Sequence, residues 1–92
     1  MKEDLFKTFL IAQESITSKI KGVNSRMSKA RSIEKKFNVN LDEVATSDNK
    51  TFLLLLNIKV KFGDKNGSYQ NSARYYYLFK NGRRFPSLDD YK

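Results

Sequence analysis

The chain has 92 residues, with 18 Lys and Arg against 10 Asp and Glu, no Cys and no His, and a net charge of +8. That length holds one domain, expected to span 1–92, and the missing Cys and His exclude thiolate chemistry, histidine relays, disulfides and the common zinc sites. No apolar run is long enough to cross a membrane, and Met1-Lys2-Glu3-Asp4 does not open a secretory leader. These features predict a basic, soluble, cytoplasmic, non-enzymatic domain without cofactor or metal.

In chain order, the spacing of Phe6, Phe9, Leu10, Gln13, Ile16 and Ile20 predicts an amphipathic helix over 4–20, capped by Asp4 and ended at Gly22. A second helix fits 25–37, started by Asn24 or Ser25. It buries Met27, Ala30, Ile33 and Phe37, with Asn38 as its stop. The connector 39–44 is expected to add a short turn with Leu41 and Val44 inward.

Residues 49–63 admit two readings. From an Asp48 cap they form a helix apolar on most sides, or Leu56, Ile58, Val60 and Phe62 alternate as a strand. Residues 68–80 pose the same choice, with Ser68 as cap and Gly82 as terminator of a helix, and Asn66-Gly67 and Asn81-Gly82 as turns of a hairpin. The two fold classes are therefore an all-α bundle of about four helices, or two helices followed by a β-hairpin or three-strand meander. The segment from about residue 83 reads as an extended tail that packs Phe85, Leu88 and Tyr91 on the body.

Ser25-Arg26-Met27-Ser28, then Arg31, Ile33-Glu34 and Leu41-Asp42-Glu43, followed by Gly67-Ser68-Tyr69-Gln70-Asn71-Ser72-Ala73-Arg74-Tyr75-Tyr76-Tyr77-Leu78-Phe79, resemble a known pattern. The order is similar to the SAM-like core-binding domain of tyrosine recombinases, the phage-integrase N-terminal type, over most of 4–82. The resemblance implies a helical bundle that contacts DNA and delivers a recombinase, restriction or mobile-element enzyme. It does not extend to the recombinase catalytic domain, for which this chain has neither the His nor the length. Tyr75, Tyr76, Tyr77 and Tyr91 are accordingly not nucleophiles.

The charge is uneven. Residues 19–37 carry +6 and residues 50–85 carry +7, with an acidic connector of −3 at 38–49 between them. Two basic blocks point to a polyanion, and double-stranded DNA is the expected partner. The candidate phosphate contacts are Arg26, Lys29, Arg31, Lys35 and Lys36 in the first block, with Arg74, Tyr75, Lys80, Arg83 and Arg84 in the second. The bland alternative is a solvated helix face, with Arg83 and Arg84 only neutralising helix carbonyls.

Tyr76 is expected in the core, and at least one of Tyr75 and Tyr77 at the surface. Asp42-Glu43 and Asp89-Asp90 are adjacent pairs that lack a third ligand, so no metal or hydrolytic site is expected. The run Leu53 to Leu56 reads as core, with any excess apolar surface available to a homodimer. The rival function is a protein-interaction or inhibitor module whose basic, Tyr-rich surface binds an acidic partner.

Overall fold

Three-and-four apolar spacing becomes six helices in the computed structural model, which describes residues 1–91. They are α1 (Glu3–Ile11), α2 (Lys21–Phe37), α3 (Leu41–Val44), α4 (Asp48–Lys61), α5 (Ser68–Asn81) and α6 (Leu88–Tyr91). Helix accounts for 68% of the structure and no strand occurs among the described residues, which decides for the all-α bundle over the hairpin or meander. Four helices of nine residues or more build the body, and α3 and α6 are single turns.

The first helix is shorter than its pattern. It stops at Ile11, and residues 12–20 form a loop that buries Ile16 but leaves Ile20 76% exposed. Ser15, Thr17 and Ser18 sit in that loop, and such side chains compete with helix for backbone partners. The Ser18 hydroxyl does so directly, accepting the Lys21 N–H at 3.1 Å where α2 begins. That start is four residues earlier than the spacing predicts, and it places Gly22 inside α2 rather than at the end of α1.

Gly22 is needed there for close approach. A Cβ at this position would lie 3.0 Å from Ile16 Cγ2, and Ile16 is buried. Alanine is the better helix former by about 1 kcal/mol, but the loop must move to admit it. The expected result for Gly22→Ala is a net loss of about 1 kcal/mol, read by urea denaturation. A gain in stability would show that the loop yields freely.

Asn38 ends α2 as expected, in a left-handed conformation (φ 52°). Asn40 caps α3, whose Leu41 and Val44 point inward. Ser47, not Asp48, caps α4 by accepting the Lys50 N–H at 3.2 Å. Thr51, Leu54, Leu55 and Ile58 form the buried side of α4, the helical set rather than the alternating one. Half of the leucine run is therefore outside the core, because Leu53 and Leu56 project to solvent.

The hairpin signals have helical roles. Gly67 (φ 70°) precedes α5 and Gly82 (φ 71°) ends it, so positive φ serves helix boundaries here. Asp64, rather than Ser68, satisfies the start of α5, accepting the N–H groups of Tyr69 (3.1 Å) and Gln70 (2.9 Å).

The most extensive packing is α2 on α5, with Val23, Met27, Ala30 and Ile33 on one side and Ala73 and Tyr76 on the other. Phe6 is completely buried with its ring edge-on to Tyr76, centroids 4.7 Å apart. Tyr77 is also buried, so of the two uncertain tyrosines only Tyr75 reaches the surface. The tail is not extended throughout. It buries Phe85 against Tyr77 and ends in α6, where Tyr91 stacks on Phe52.

Candidate nucleic-acid interface

The structure divides nine of the ten predicted contact residues into two groups and leaves Lys35 apart from both. In the first, the cation is bound to a carboxylate or carbonyl of another segment. Arg31 Nε lies 2.7 Å from Glu3, joining α2 to α1. Lys80 lies 3.3 Å from Asp42, and Arg83 Nη2 lies 3.2 Å from Asp48 while its guanidinium covers the Tyr77 ring. Arg74 donates from Nη1 to the carbonyls of Phe85 and Pro86, both at 3.0 Å, and clamps the tail to α5. Burial lowers the pKa of that guanidinium from its ordinary value.

The second group gathers along the seam between α2 and α5. Lys29 Nζ sits 5.6 Å above the Tyr69 ring, and the Arg26 guanidinium 5.3 Å from the Tyr75 ring. Between these pairs the Ser72 hydroxyl donates to the Arg26 carbonyl at 2.6 Å, fixing the spacing of the helices. Lys36 lies two turns beyond Lys29 on the same edge of α2. At the other end, Tyr75 and Arg84 line a cleft of about 120 Å³ together with Asn71. Lys35 is exposed on the far side of α2.

Arg26, Lys29, Lys36 and Arg84 form no ion pair among the described residues. Their charge is therefore available to an outside anion. The Tyr75 hydroxyl shares a hydrogen bond with Ser15 Oγ at 2.7 Å, which holds the ring beside Arg26. Arg26 Nη1 donates to the Gly22 carbonyl at 3.0 Å, while its Nε is buried without a partner. The seam alternates cations and half-exposed tyrosines, a surface suited to phosphate contact and to stacking. Tyr69 belongs to it as fully as Tyr75. Its position on the apolar stripe of α5 disguised it, and Lys29 on the facing helix is what marks it.

The paired group ties neighbouring elements together. The Tyr76 hydroxyl accepts the Lys2 N–H at 2.9 Å and donates to Asp42 at 2.5 Å. Burial alone would raise the Asp42 pKa, but Tyr76, Lys80 and the N-terminal ammonium together hold it below the usual 3.8. Asp48 is likewise held low, by the Tyr77 hydroxyl and then by Arg83.

Burial, reinforced by Asp42 for Tyr76 and by Asp48 for Tyr77, raises both phenol pKa values, that of Tyr77 to about 12. A phenol raised above its ordinary 10.0 leaves stability whole below that pH and withdraws it on the climb towards 12, because unfolding then releases a proton. The domain should thus lose stability in alkali between those values, and Tyr77→Phe should move the midpoint of alkaline unfolding upward. Circular dichroism followed alongside tyrosinate absorbance checks this, and an unchanged midpoint would contradict it.

No family model, no curated protein and no solved structure matches the chain.

Proposed function

We propose that this domain is a non-catalytic module that contacts the phosphates of double-stranded DNA along the α2–α5 seam, through Arg26, Lys29, Lys36 and Arg84. The observation that carries the reading is that Arg26 and Lys29 of α2 pair with Tyr75 and Tyr69 of α5 along one seam, and that neither cation meets a carboxylate among the described residues. Its support otherwise is the charge of +8 and the resemblance to recombinase core-binding domains. On that resemblance, the module brings an associated recombinase, restriction or mobile-element enzyme to DNA. Phosphate contact gives affinity without sequence choice, so any specificity comes from arginines that reach base edges or from an attached domain.

Lys36 and Arg84 are exposed, so their replacement tests the interface without disturbing the fold. Each lost phosphate contact lowers the salt slope of binding by about 0.9. Lys36→Gln with Arg84→Gln should therefore weaken duplex binding by about tenfold at low salt. Arg31→Gln, on the α1 side of α2, should leave it unchanged. Fluorescence anisotropy reads both, and the reverse pattern would move the interface off the seam.

A further inference from the structure

A helix that packs one side on a core ordinarily carries polar side chains on the opposite side, and α4 carries apolar ones there. Leu53, Leu56 and Val60 lie on the side opposite its buried residues and are 49%, 37% and 73% exposed. Their spacing of three and four aligns them as one stripe along the helix. At Leu53 the stripe runs into a groove of about 460 Å³ between α4 and the α2–α3 connection, walled by Phe37, Val39, Val44 and Leu54, with Glu43 and Lys50 as its charged lining. By helical position Lys50 and Lys61 flank the stripe on one side and Lys59 on the other. None of these three forms an ion pair among the described residues.

We propose that this stripe and groove dock an amphipathic helix of an acidic partner protein. The partner's apolar side covers Leu53, Leu56 and Val60, and its carboxylates meet the lysines on both flanks. Apolar anchors at helical spacing beside a groove are the requirement of helix-in-groove recognition. Charge selects the occupant. A second copy packed antiparallel about a two-fold axis would set Lys50 of one chain against Lys61 of the other, between two molecules of net charge +8. An acidic helix turns the same lysines into attraction. The site shares no residue with the α2–α5 seam, so the proposal stands apart from DNA binding.

The test uses a synthetic helical peptide with leucines at three-and-four spacing flanked by glutamates, and a twin with lysines in place of the glutamates. Amide chemical-shift mapping should show the acidic peptide perturbing α4 from Leu53 to Val60. The lysine twin should bind at least about tenfold more weakly, and Leu53→Ser with Val60→Ser should weaken the acidic peptide by about tenfold or more. Both replaced side chains are exposed, and a thermal melt confirms that the variant folds. Lys50→Glu with Lys61→Glu leaves the stripe intact and should reverse the preference between the peptides. Perturbation away from α4, equal binding of the twins, no binding, or a peptide-free dimer formed through α4 would each overturn the proposal.

Discussion

Phe6→Ala is expected to remove a large share of the stability of the domain. The ring is completely buried and touches Tyr76 edge-on at 4.7 Å, with Phe79 at 5.6 Å and Phe9 at 6.4 Å. Truncating such a residue costs about 3–5 kcal/mol in lost transfer energy and residual cavity. Domains of this size have about 5–15 kcal/mol in total. At roughly 4–8 °C per kcal/mol the melting temperature should fall by about 12–40 °C. Phe9, only partly buried, should cost less when changed in the same way. Equal, small shifts for both would mean that α1 does not close the core as described.

The second large effect is expected at Arg74, and it separates two roles for that residue. Its guanidinium holds the carbonyls of Phe85 and Pro86 and lies 5.9 Å from the Phe85 ring. Hydrogen bonds to a charged donor contribute about 1.5–3 kcal/mol, and Met keeps the apolar stem while removing them. Arg74→Met should therefore cost about 2–3 kcal/mol and speed amide exchange at Phe85 and in α6, with DNA affinity nearly unchanged. Unaltered stability with lost DNA binding would instead make Arg74 a phosphate contact.

The sequence pattern made some of this legible and concealed the rest for physical reasons. The stripe Met27, Ala30, Ile33 and the stop at Asn38 were readable because they are local features. Residues 49–63 and 68–80 are ambiguous in sequence because apolar residues occur on every side of α4, and because a left-handed glycine suits a hairpin turn and a helix end equally. The first helix was over-extended because Ile16 falls on the helical stripe, although the loop buries it by another route.

At the site, charge marks the two basic segments but not which of their cations pair within the fold. Arg83 finds Asp48 35 residues away and Arg31 finds Glu3 28 away, and no spacing rule reaches that far. Arg74 is spent on carbonyls of the tail for the same reason. The exposed half of the leucine run was hidden too, since Leu53 and Leu54 look alike until the packing of α3 assigns one of them to the core.

The most direct test of DNA contact along the seam is an anisotropy titration of labelled duplex DNA, about 25 bp long, at about 50 and 200 mM salt. Several phosphate contacts predict a complex in the mid-micromolar range or tighter at the lower salt, weakening by about tenfold or more at the higher. Absence of binding at the lower salt, or binding indifferent to salt, would contradict the account and leave the seam as a surface for an acidic protein.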